Sequence, residues 1–153
     1  MLPQLPLTRV DDITHVIQLA VAPVFLLTAV GTLLAVLTNR LGRAVDRKRV
    51  LDNLLPTMAP VAEVEDLRLA RAELALVLRR IELIYRAIVL AVLCALLISL
   101  VIVVAFVDAF LAANLSNALG VLFILALIAL IASLLVFLRE IFLGVRTSQL
   151  TRG

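Results

Sequence analysis

The sequence predicts an all-α fold: a polytopic membrane protein with three transmembrane helices and a cytoplasmic antiparallel helical hairpin. Two observations carry that expectation. The first is a set of three apolar runs, Val16–Leu37, Ala87–Val107 and Leu119–Leu138, each 20 to 22 residues long and free of Asp, Glu, Lys and Arg. At about 1.5 Å per helical residue, each can cross a hydrocarbon core roughly 30 Å thick. The second is composition: 153 residues, 64% of them hydrophobic, with a mean hydropathy of +1.19, well above the range of water-soluble domains. Residues 1–153 therefore read as one membrane domain, with spans at about 16–37, 87–107 and 119–138 and the hairpin at about 38–86.

Taken in order, Met1–Leu7, with Pro3 and Pro6, reads as an extended lead. Thr8-Arg9-Val10-Asp11 fits a capping box, which places a helix start at Thr8. The first run is longer than the core of a signal peptide, lacks a basic segment before it, and runs into Thr38-Asn39-Arg40 instead of small residues, so it reads as a span. Pro23 removes one internal hydrogen bond and is expected to kink that span. Beyond Leu37 only Gly42 interrupts a continuous helix up to Leu55. Pro56-Thr57-Met58-Ala59-Pro60 is the clearest break, two prolines ending one helix and opening the next. No Gly or Pro occurs from Val61 to Leu119, so one helix is expected from about Ala62 to Ala113. Its length, roughly 75 Å, exceeds the bilayer core more than twofold, and its first half must project from the membrane. Asn114-Leu115-Ser116-Asn117 reads as a tight outer turn. The third span follows, with a basic helical end at Arg139–Arg146.

Positive charge is segregated. Ten of the 14 basic residues lie between Arg40 and Arg86, three lie beyond the third span, and the link from Asp108 to Ala118 has none. The positive-inside rule then predicts an outside N-terminus, with the hairpin and the C-terminus in the cytoplasm. The same charge accounts for the basic pI of about 10.0. With no aromatic–basic platform for stacking bases, nucleic acid is not an expected partner.

Laid antiparallel about Met58, the hairpin brings Arg43 near Glu73, Asp46 near Arg71, and Arg49 near Asp66 or Arg68. Such exposed pairs contribute at most about 1 kcal/mol each and set register more than stability. The second helix carries a heptad stripe, with Leu67, Leu74, Ile81 and Ile88 at one core position and Ala70, Val77 and Ile84 at the other. Leu69, Leu76, Leu78 and Leu83 fall outside it. One neighbouring helix cannot cover them all, which points to a partner surface, most simply a second copy of the chain. The third span's end and the bilayer surface are the alternative cover.

Three groups of residues are candidates for function. On the first span, His15, Gln18, Thr28, Thr32 and Asn39 share a face about 140° wide with Ala22, Phe25 and Ala29. Small and hydroxyl residues in a stripe fit either a helix interface, the commoner case, or the lining of an aqueous path. No charge lies mid-membrane, which argues against a proton relay. The second group is Arg40, Arg43, Asp46, Arg47, Lys48 and Arg49 with Glu73: five basic residues within ten positions of the membrane exit. They serve topology and hairpin pairing, or they hold anionic lipid head groups. Thirteen of the 14 basic residues are Arg, suited to bidentate pairing with carboxylate or phosphate. The third is Asp108 with Asn114 and Asn117, either a solvated interface or, in an oligomer, a ring that concentrates cations. Cys94 reads as a packing residue and His15, without a second ligand at metal spacing, makes a weak metal case. No paired acid and base, nucleophile–base set or glycine-rich phosphate loop appears, so no catalytic residue, metal or cofactor is expected.

Two stretches also carry a family likeness. Ile17-Gln18-Leu19-Ala20-Val21-Ala22-Pro23-Val24 leads to Asn39-Arg40-Leu41-Gly42-Arg43-Ala44-Val45-Asp46-Arg47, and Glu73-Leu74-Ala75-Leu76-Val77-Leu78-Arg79-Arg80-Ile81 runs into the second span. Together they resemble the bacterial membrane family known as domain of unknown function 2721, over nearly the whole chain. The resemblance implies a three-span protein of the bacterial cytoplasmic (inner) membrane and carries over no activity. The expectation is a non-enzymatic homo-oligomer, its concrete mechanism a passive ion or small-solute channel lined by the first span. The competing class is a scaffold or accessory subunit that binds a partner through its hairpin.

Overall fold

The computed structural model describes the backbone of residues 7–58, 64–111 and 114–150, and the side chains of residues 21–57, 64–111 and 114–144. It contains three helices: α1 Leu7–Met58, α2 Val64–Leu111 and α3 Ser116–Leu150. No strand occurs among the described residues. All three helices are long and apolar enough to cross a membrane, and the chain is an all-helical membrane protein. The most apolar window of α1 has a mean hydropathy of 2.2, against 3.4 and 3.3 for α2 and α3. The difference reflects Thr28, Gly31 and Thr32 in its span.

Burial follows heptads. On α1 the inward positions are Pro23, Val30, Leu37, Ala44 and Leu51, seven residues apart. On α2 they alternate three and four apart: Val77, Ile84, Ala87, Ala91, Cys94, Ile98 and Val101, with Arg80 on the same line. Ala126, Ala129, Ser133 and Glu140 continue the pattern on α3. Seams spaced this way are what nearly parallel or antiparallel helices need to interdigitate. The small residues on α2 and α3 matter most, because in lipid the attraction between helices is packing itself.

The heptad expected on α2 is half realised. Val77 and Ile84 are buried, but Leu67, Leu74, Ile81 and Ile88 are only partly so. The other seam position belongs to the line through Glu73, Arg80, Ala87 and Cys94. Two charged residues on that line make the apolar count favour the neighbouring phase.

The hairpin break also differs from expectation. α1 continues through Pro56 to Met58. The Thr57 hydroxyl donates to the Asn53 carbonyl at 3.3 Å, a bond that spans Pro56 in the last turn, where the proline itself supplies no N–H. Residues 59–63, including Pro60, lie outside the described residues; α1 begins at Leu7, one residue before the expected start at Thr8, and the side chains of the capping box are not among those described.

Contacts divide the chain into two compact units. In the first, Met1–Leu33 with Ala91–Ile131, the core comprises Val30, Ala91, Cys94, Ile98, Val101, Ala126 and Ala129. Its α2–α3 connection ends on Asn114, whose φ of 53° is a left-handed conformation that Asn tolerates. The Leu115 amide donates to Asp108 Oδ1 at 2.9 Å. The Leu115 carbonyl then accepts from the Leu119 amide at 3.0 Å, starting α3. Asp108 thus holds the turn, a local use for a carboxylate also considered as part of a cation-concentrating ring.

The second unit, Leu34–Leu90 with Ala132–Gly153, packs Leu37, Ala44 and Leu51 of α1, Val77, Ile84 and Ala87 of α2, and Ser133 and Glu140 of α3. The buried Ser133 hydroxyl donates to the Ala87 carbonyl at 2.8 Å. This unit holds the charged residues that concern function.

Candidate functional site: an arginine cleft around Glu140

Each helix of the second unit presents three residues of one face at helical spacing: Arg40, Ala44 and Arg47 on α1, Glu73, Val77 and Arg80 on α2, and Phe137, Glu140 and Gly144 on α3. Glu140 is completely buried, while Arg40 and Arg80 are each about one-third exposed. Arg40 Nη1 donates to Glu140 Oε2 at 2.6 Å. Arg80 donates from Nε at 3.2 Å and from Nη2 at 3.0 Å to Glu140 Oε1. One carboxylate thereby joins all three helices. The Arg40 guanidinium also lies 5.1 Å from the centre of the Phe137 ring, within cation–π range. Gly144 gives Arg80 its room, since a Cβ there would sit 3.3 Å from Arg80 Nη2.

One turn further along the hairpin, Arg47 donates from Nε at 2.8 Å and from Nη2 at 2.6 Å to Glu73 Oε1. The expected partner of Glu73 was Arg43, four residues earlier. The register moves by about one turn because α1 reaches Met58 and α2 begins only at Val64, which shifts the centre of the connection. Neither Asp46 nor Arg49 makes an ion pair among the described residues. Arg68 pairs within its own helix, with Glu65 at 3.9 Å. The Arg47–Glu73 pair is exposed, so Arg47→Glu is expected to destabilise by no more than about 1 kcal/mol. The double reversal Arg47→Glu with Glu73→Arg should recover most of that loss in a double-mutant cycle of thermal unfolding.

Arg40, Arg43, Arg47 and Arg80, with Ala44 and Val77, line a cleft of about 230 Å³. Arg43 is exposed and has no ion-pair or hydrogen-bond partner among the described residues. The cleft gathers four guanidinium groups against the two carboxylates of Glu140 and Glu73, so positive charge is in excess by two. Such a site can bind an anion. No group of three potential metal ligands occurs among the described residues.

The other candidate face behaves differently. Thr28, Thr32 and Asn39 are exposed, and at 100° per residue they lie about 160–180° round α1 from the buried Val30. The Thr28 and Thr32 hydroxyls each donate at 3.2 Å to the carbonyl four residues back, Val24 and Thr28. Gly31 and Gly42 have open space where a Cβ would stand. The face is thus turned from the chain's own seam, its hydroxyls bonded to their own backbone, and it also carries the exposed apolar side chains Val21, Phe25 and Val36. The side chains of His15 and Gln18 fall outside the described residues.

Glu140 escaped the sequence reading. Its only signal is position: it is the sole acidic residue after Asp108, immediately beyond an apolar run. The segment Arg139–Arg146 read as a basic end, and a single acid among arginines gave no hint of burial.

A family model described as a protein of unknown function, DUF2721, matches residues 20–150. No curated protein and no solved structure matches the chain.

Proposed function

We propose, for a chain that belongs to the DUF2721 family over residues 20–150, a homo-oligomeric and non-enzymatic membrane protein in which copies assemble along the outer face of α1 around a passive path for ions or small solutes. The observation that carries this reading is the exposed face of Thr28, Thr32 and Asn39, opposite the buried heptad of the same helix. In lipid, small residues favour close helix approach, and hydroxyls already bonded to their own backbone can be buried without loss. The same residues offer oxygen atoms to water if the copies leave a gap. The charge distribution supports an inner-membrane orientation with the N-terminus outside and the hairpin in the cytoplasm.

Thr28→Leu and Thr32→Leu test the proposal in protein reconstituted into liposomes and nanodiscs. The expected result is four or more subunits by native mass, unchanged in the variants, with solute flux in the wild type and flux at background in the variants. A monomeric or dimeric wild type without flux would overturn it.

A second reading has its own support. Val50, Leu54, Leu69 and Leu78 are exposed on the hairpin, a surface suited to a scaffold or accessory subunit. A low subunit number would favour this reading, because one or two copies have too few helices to enclose a path.

A further inference from the structure

We infer that the arginine cleft between α1 and α2 is a binding site for a phosphate group, of the kind carried by an anionic phospholipid head group or by soluble phosphate. The argument starts from unused donors. A guanidinium has five N–H donors. Arg40 uses one on Glu140, Arg80 uses two on Glu140, and Arg47 uses two on Glu73. Arg43 uses none on the described protein. The buried Glu140 carries one negative charge shared by two guanidinium groups, so it neutralises one charge and leaves the other.

Two features make the cleft a site instead of a diffuse basic patch. Arg40 and Arg80 are fixed from behind, by Glu140 and, for Arg40, by the Phe137 ring. Arg47 is fixed by both its bonds to Glu73. Three of the four cations are therefore held in place before a ligand arrives, and the fourth, Arg43, is free to close on it. The ligand must also be compact and anionic to offset the excess. Phosphate fits, and its oxygens match the forked geometry of arginine. The cleft volume, about 230 Å³, admits the group. The apolar end of α1 at Leu37 lies three residues from Arg40, so a lipid could reach the site with its acyl chains still beside apolar residues.

The test uses the full-length protein in neutral detergent. Phosphatidylglycerol binding is followed by native mass spectrometry, and inorganic phosphate binding by thermal shift. Arg43→Gln breaks no ion pair and should fold normally; Arg49→Gln, on α1 but outside the cleft, is the matched loss of charge. The expected result is saturable binding of one phosphatidylglycerol per chain, weakened about fivefold or more in Arg43→Gln, and nearly unchanged in Arg49→Gln. If inorganic phosphate binds with the same dependence on Arg43 while the lipid does not, the phosphate site stands and its source is soluble. Equal losses in the two variants would reduce the cleft to general surface attraction and overturn the inference. Absence of saturable binding by either ligand would do the same, as would a change in subunit number in Arg43→Gln without any change in binding.

Discussion

Replacing Glu140 with alanine is expected to cost about 3 kcal/mol of stability, more than any other charge change in the molecule. Removal of the carboxylate leaves Arg40 and Arg80 converging on an empty buried space from two helices. It also opens a void in a fully buried position. Both arginines are about one-third exposed and can turn partly toward solvent, which keeps the loss below the upper range for buried pairs. Glu140→Gln should lose nearly as much, because an amide keeps the shape but not the charge. The instructive comparison is the triple change Arg40→Met, Glu140→Leu and Arg80→Met. Buried ionic triads are often no more stable than apolar replacements of similar volume. The triple variant is therefore expected to unfold close to the wild type, while the single variants unfold much earlier. Denaturant titration in detergent checks this. A Glu140→Ala midpoint within experimental scatter of the wild type would mean that the carboxylate does not couple the three helices. If the triple variant is stable but loses phosphate binding, the triad persists for its ligand and not for the fold.

The spans were legible because hydropathy is a sum over twenty residues, and no local exception disturbs it. Pro56 shows the opposite case. A single proline reads as a stop, but α1 continues past it to Met58, with the Thr57 hydroxyl bonded back to the Asn53 carbonyl, and the later break moves the register of the hairpin. The α2 seam was misplaced for a related reason. Glu73 and Arg80 stand where apolar residues would mark the seam, and their partners come from α1 and α3. Polar residues on a buried line are invisible to apolar periodicity. Glu140 is the extreme example: its burial depends on two arginines, 100 and 60 residues away in sequence. The outer face of α1 was found from spacing alone, yet spacing could not tell whether it met the chain's own helices. Its position opposite Val30 and Leu37 required the three-helix packing. The excess charge of the cleft likewise needed the pairings, since composition counts charges but not which of them are neutralised.

The second large effect is expected from Ala87→Leu. Ala87 is fully buried, and its carbonyl accepts the Ser133 hydroxyl at 2.8 Å. A serine side chain is short, so the α3 backbone must pass close to α2 at this point. A leucine there has no room to adopt an unstrained rotamer, and overpacking of this kind costs about 1–3 kcal/mol, here toward the upper end. The effect should be larger than in a water-soluble bundle of similar packing density. In lipid, two separated helices keep apolar surroundings, so little hydrophobic force opposes their parting once close contact is lost. Ser133→Ala separates the two contributions. It removes the hydrogen bond but not the close fit, and interhelical bonds of this type contribute about 0.6 kcal/mol on average. Ala87→Leu should therefore destabilise several times more than Ser133→Ala in the same denaturant titration. If the two losses are equal, the hydrogen bond and not the close approach holds α2 against α3. If Ala87→Leu is neutral, the helices have space to separate at Ala87, and the small residues of this seam are not what brings them together.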